Sequence, residues 1–237
     1  LHMSEEKVEK KRFRRTKIAI ERDVLQAVGS LIEELGFSNV TLTGVARRAK
    51  IEPAVFYRRY NNLEELFDKY TQKYDYWLAG VAKSIPKNLN EFEMYSWIMD
   101  QLVQELLKNK GMQQLLIWEL SDDNVTTRRT SKLREVVNQP LLAMLEQKFK
   151  GTGLDVNVIC AMMISVIYYL ILHRKRSEFC SIDFNTKIGK ERLRTGVRQM
   201  SELLFDGIQK KKEMLEIAER LRTEGVSEEI ISKCIPC

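Results

Sequence analysis

Residues 42–60, LTGVARRAKIEPAVFYRRY, constrain the fold more than any other stretch of the chain. Leu42, Val45, Ala46 and Ala49 fall at i, i+3, i+4 and i+7, which is one apolar helical face. Thr41 stands just before that face, where its hydroxyl can accept an orphaned backbone N–H as an N-cap. Lys50-Ile51-Glu52 reads as a turn, and Pro53 opens a second helix at the position where a missing N–H costs nothing. That helix is expected to run to Tyr60, turning Phe56 and Tyr60 inward and Ala54, Val55, Tyr57, Arg58 and Arg59 outward. Two short helices joined by a tight turn, the second cationic and built from small residues, have the geometry that enters a major groove. The stretch reads as a DNA-binding helix-turn-helix.

Charge agrees with that placement. Residues 1–60 hold 13 Lys/Arg against 8 Asp/Glu, a net of +5, and the whole chain carries +6. The remaining 177 residues are therefore close to neutral, and the excess sits where phosphate would be met. Residues 1–15, with Lys10, Lys11, Arg12, Arg14 and Arg15, read as a basic flexible arm beside the helix-turn-helix, Leu1-His2 having the look of a cloning remnant.

Upstream of the turn, Ile20, Val24, Ala27, Val28, Leu31, Ile32 and Leu35 line one face of a first helix, which Gly36 terminates. Downstream, Asn62 offers an N-cap with Glu65 as its capping-box partner, and a fourth helix is expected from there through Tyr74 and Trp77 to Val81. The order Gly36-Phe37, Thr41, Val45-Ala46, Ala49, Phe56-Tyr57, Tyr60 and Glu64-Glu65-Leu66 resembles the N-terminal domain of the TetR/AcrR transcriptional regulators. The resemblance covers about fifty residues. Lys50 stands where that pattern has glycine, and Leu63 where it has lysine. The resemblance implies a dimer held by a bundle of the last two long helices, and a phosphate contact at Tyr57.

The rest of the chain reads as helix after helix. Apolar spacing marks 90–108, 112–120, 126–149 with Pro140 expected to kink or split it, 155–172 apolar on nearly every face, and 187–208. A tail opens at Lys210-Lys211-Lys212 and holds two further short helices. The expected architecture is all-α. It comprises an arm (1–15), a three-helix helix-turn-helix domain (16–62), a helical effector-binding and dimerisation domain (63–209) and a helical tail (210–237).

Candidate roles follow from residue type and position. Thr41, Lys50 and Tyr57 are placed for phosphate, and Pro53, Ala54, Val55 and Arg58 for base edges, while Arg47 and Arg59 suit either. A hydrophobic effector pocket could draw on Trp97, Trp118, Met162 and Tyr169, because methionine and aromatic rings make adaptable apolar linings.

Catalysis is not expected. The chain has no glycine-rich phosphate loop, no G-x-S-x-G and no H-E-x-x-H. Four cysteines, with Cys234 and Cys237 as a lone C-x-x-C, and two histidines are too few for a structural metal site, so neither metal nor cofactor is expected. The apolar run 159–172 is too short for a membrane span, and a cytoplasmic protein is expected. The expected function is a homodimeric transcriptional regulator, most simply a repressor, released from a palindromic operator by a small hydrophobic effector. The alternative is a DNA-bound adaptor that answers to a protein partner.

Overall fold

A computed structural model describes residues 15–77, 80–81 and 84–234, the side chains of 148 and 234 excepted. The arm 1–14 and most of the terminal C-x-x-C lie outside the described residues. The chain divides into two compact units between Gln72 and Lys73.

Among the described residues the first unit holds four α-helices. α1 (Lys17–Leu35) starts at Thr16, whose hydroxyl accepts the Ala19 N–H at 3.2 Å. It ends at Gly36, whose φ of 79° is open to glycine at no steric cost. Val24, Ala27, Val28, Leu31 and Ile32 are buried as the spacing requires, but Leu35 is half exposed. A 3-10 turn at Phe37–Asn39 drives the Phe37 ring into the core, edge-on to Phe67 at 5.2 Å. α2 (Leu42–Ala49) and α3 (Pro53–Tyr57) form the helix-turn-helix, and α4 (Leu63–Thr71) closes the unit with Leu66, Phe67 and Tyr70 buried. A Cβ at Gly29 would come within 2.9 Å of the Tyr70 ring, so glycine is what lets α4 approach α1.

Three expectations are corrected here. α3 stops at Tyr57, and Arg58-Arg59 continues as a turn in which the Arg59 and Tyr60 N–H groups both donate to the Phe56 carbonyl. The fourth helix ends at Thr71 and passes into a 3-10 turn at Gln72–Tyr74. Leu63–Thr71, assigned to the effector domain from sequence, belongs to the first unit because its apolar face packs on Phe37 and α1.

The second unit is built from α5 (Glu91–Lys108), α6 (Lys110–Ser121), α7 (Val125–Phe149), α8 (Val156–His173), α9 (Lys187–Thr223) and α10 (Glu228–Cys234). α5 is central, packing on α6, α8 and α9, while α7 packs on α6 and α8. Asn90 and Glu93 close a capping box at the start of α5. Pro140 lies inside α7 without dividing it, at an exposed position. α9 runs unbroken for 37 residues through Lys210-Lys211-Lys212, so the expected tail boundary at 210 is absent. Charge repulsion among three lysines is not enough to interrupt a helix with good helix formers on both sides. α10 folds back through Gly225 to bury Ile231 against Ala218.

Among the described residues there is no strand, only one bridge between Phe179 and Ile182. α8 reaches 18 residues, and by length and composition it is apolar enough to cross a membrane. α8 packs instead along α5 and α7.

Candidate functional site

The turn between α2 and α3 is the best-defined local geometry in the first unit. The Ile51 N–H donates to the Ala46 carbonyl at 3.0 Å and the Lys50 N–H to the Arg47 carbonyl at 3.2 Å. This is the Schellman pairing that satisfies the orphan carbonyls of a helix end. It requires a left-handed residue at its pivot, and Lys50 takes it with φ 53° and ψ 49°. A non-glycine residue there is strained, and it holds its side chain at the tip of the turn. Arg15 braces the same corner, donating to the Ala49 carbonyl at 3.0 Å and lying 3.4 Å from Asp23. Arg15, read from sequence as part of the arm, is thus tied to the helix-turn-helix. Only a long-range contact reveals that role.

The candidate DNA residues can now be placed. Arg47, Lys50, Pro53, Ala54, Tyr57 and Arg58 are exposed, and Val55 is half-buried. Phe56 and Tyr60 sit beneath them in the core, the two rings 5.4 Å apart. Arg47, Lys50 and Arg58 have no ion-pair partner among the described residues. The Thr41 hydroxyl accepts the Gly44 N–H at 3.1 Å and lies 3.3 Å from the Thr43 hydroxyl, so it caps α2 while staying exposed. Arg59 differs from its neighbour: it is half-buried and its guanidinium donates to the Val55 carbonyl at 3.4 Å. Arg48 is committed to Glu34 at 2.6 Å, and that hydrogen bond holds the Glu34 carboxyl below the usual carboxylate range.

The four residues expected to line an effector pocket are scattered. The second unit contains a cavity of about 1210 Å³, bounded by α5, α6, α7 and α8. Tyr169 lines it, at its half-exposed edge. Trp97 faces a separate pocket of about 380 Å³ beside Arg194. Trp118 is buried in the core, and Met162 is exposed on the outer face of α8. The cavity walls are chiefly Leu and Ile, among them Ile98, Leu102, Leu116, Leu141, Leu142 and Leu145. Those residue types look the same in a filled core and around a void.

One polar cluster sits in that wall. Glu119 of α6 is hydrogen-bonded to Arg134 of α7, and the Thr130 hydroxyl donates to its other oxygen at 2.6 Å. Both charged side chains are largely buried, at 10% and 16% exposure. Burial pushes the neighbouring Tyr168 phenol up from its ordinary value. Burial likewise raises the Cys160 thiol, which lines the cavity from α8. Among the described residues no group of His, Cys, Asp or Glu is gathered closely enough to hold a metal ion.

No protein-family model matches the chain, and no curated protein sequence does either. Solved structures do match in fold. The fatty acid degradation regulator FadR from Bacillus halodurans superposes with a TM-score of 0.56 at 13% identity, over 80% of this chain and 96% of that one. AibR in complex with isovaleryl coenzyme A and operator DNA gives 0.59 at 14% identity, over 76% and 97%. A TetR-family transcriptional regulator from Haemophilus influenzae gives 0.54 at 15%, over 78% and 98%.

Proposed function

The chain has the fold of the TetR-family regulators, and from that premise we propose that it is a sequence-specific DNA-binding transcriptional regulator. It acts as a homodimeric repressor on a palindromic operator and leaves that operator when a small apolar effector occupies the cavity. The observation that carries this reading is the α2–α3 corner: exposed Lys50, Pro53, Ala54, Tyr57 and Arg58 stand over a buried Phe56–Tyr60 support. Small residues allow close approach, Arg58 can read guanine bidentately, and Lys50, Thr41 and Tyr57 suit phosphate. Arg47 is free for either role, whereas Arg59 is the weaker candidate because it is turned onto its own helix.

Support for a dimer comes from α8 and α9. Val158, Met162, Val166 and Tyr169 make an exposed apolar stripe on α8, and Ile188, Met200 and Leu203 another on α9. Apolar surface in such stripes favours burial against a second copy. The effector role draws on the cavity's size, at or above the ~300–1,000 Å³ usual for small-molecule sites. AibR offers a precedent in the same fold for a ligand together with operator DNA. An effector can move the DNA-bound population only through its differential affinity for the two states.

Selection of duplexes from a random DNA pool by the full chain tests this reading. A two-fold symmetric consensus, with half-sites about one helical turn (~34–36 Å) or a multiple apart, is expected. Recovery without any consensus would overturn it.

A further inference from the structure

The cavity of the second unit is long as well as large. Its lining follows α8 from Asn157 to His173, a rise of about 24 Å at ~1.5 Å per residue. Through the middle the walls are aliphatic, with Ile98, Met99, Leu102, Leu145 and Ile164 facing the space. The rings that line it, Tyr168, Tyr169 and His173, all lie in the last turns of α8.

Among the described residues four charged side chains touch the cavity, and their charges cancel: Glu119, Arg134, Glu135 and Arg176. Glu119 and Arg134 are bonded to each other, and Thr130 occupies the second Glu119 oxygen. A charged ligand group could take either one only by leaving the other buried and alone, which is strongly unfavourable. Glu135 and Arg176 are exposed and opposite in sign, so water already solvates them. What remains for a ligand inside carries no formal charge and includes His173, whose buried Nδ1 has no hydrogen-bond partner among the described residues. Asn138 and Tyr168 are half-buried and have no hydrogen-bond partner among the described residues.

We propose that the cavity takes an elongated, mainly aliphatic molecule whose buried part carries no charge and ends in one hydrogen-bonding group. The assignment names the ligand class of the effector site and rests on the regulatory reading only for its consequence on DNA. Desolvating an ionic head group in a site whose own charges are already paired has no compensation. A neutral head group loses little, because Asn138 and Tyr168 can replace its water.

The test is calorimetric titration of the full chain, without DNA, using dodecan-1-ol, dodecanoate and dodecyltrimethylammonium below their micelle concentrations. The alcohol is expected to bind at least about tenfold more tightly than either ion. Leu141→Trp, which fills the space, should weaken the alcohol by about tenfold while leaving the helical circular dichroism unchanged. Val137→Phe serves the same purpose should the first variant not fold. Glu119→Gln keeps the Thr130 hydrogen bond but frees Arg134, and should shift preference towards dodecanoate by about tenfold.

An ion bound as tightly as the alcohol, or alcohol binding indifferent to both filling variants, overturns the proposal. The regulatory reading fails separately. A chain that prefers dodecanol yet binds no DNA keeps the ligand class and loses the regulator, whereas a sequence-specific DNA binder that prefers an ion does the reverse.

Discussion

At Lys50 backbone strain and electrostatics meet in one side chain. Its left-handed conformation, φ 53°, is the one a Schellman turn demands and glycine fills most easily. Replacing it by glycine, Lys50→Gly, should therefore stabilise the first unit by ~0.5–1 kcal/mol in urea unfolding. The same change removes a cation from the proposed phosphate contact. DNA affinity should fall alike for all sequences, and the salt slope should drop by about 1. A variant that is more stable and weaker on DNA would separate the two roles, and one that is less stable would contradict the strain argument. Lys50, Pro53 and the Phe56–Tyr60 support could all be placed from sequence, because a tight turn fixes its residues through local rules. Arg15 and Arg59 could not. Arg15 reaches a carbonyl 34 residues away, and Arg59 turns onto its own helix after α3 has ended.

Individual elements show where periodic reading works and where it fails. Helix starts were readable where a cap is local: Thr41 and Asn62 accept the expected N–H, and Thr16 and Asn90 cap their helices in the same way. Helix ends were harder. α4 stops at Thr71 although apolar residues continue, and α9 ignores three lysines. The first outcome depends on packing that a one-dimensional pattern does not contain, the second on helix propensity outweighing the repulsion among the lysines. The Phe179–Ile182 bridge was missed because Cys180 and Ser181, at φ 50° and 59°, occupy a two-residue turn that usually takes Asn-Gly.

Between elements, Arg194 of α9 grips Asp100 of α5 at 2.6 and 3.0 Å, and Gln104 adds a third hydrogen bond at 2.7 Å. Burial pushes the Asp100 carboxyl up, but these bonds and nearby Arg198 outweigh it and hold it below its ordinary value. A lowered pKa in the folded state contributes stability above the unfolded value of about 3.9, and the contribution disappears as pH falls through the lower, folded value. At this exposure the contribution is about 0.5–1 kcal/mol after solvent screening. Asp100→Asn should therefore destabilise the protein at pH 7 by that amount, and the gap from wild type should narrow below pH 4. An equal gap at both pH values would show that shape, not charge, joins α5 to α9.

The whole molecule is where composition and motif carried least information. The all-α class followed from spacing throughout, but the division between units falls after α4, not before it, because Leu66, Phe67 and Tyr70 belong to the first core. The cavity was invisible in the sequence for a physical reason: leucine and isoleucine at helical spacing describe a wall and a filled interior equally well. Met162, assigned from sequence to a pocket, instead joins Val158 and Val166 on the face proposed to meet a second copy.

The α2–α3 corner is proposed to read bases, once in each copy of a symmetric dimer. The most direct test is a base-pair substitution scan of the selected duplex, titrated with the wild-type chain and with Arg58→Ala. Wild type should lose ~1–3 kcal/mol at positions related by two-fold symmetry. Arg58→Ala should erase that loss at one pair in each half-site and leave the others intact. A uniform loss for Arg58→Ala at every position, or a scan without symmetry, would contradict the claim.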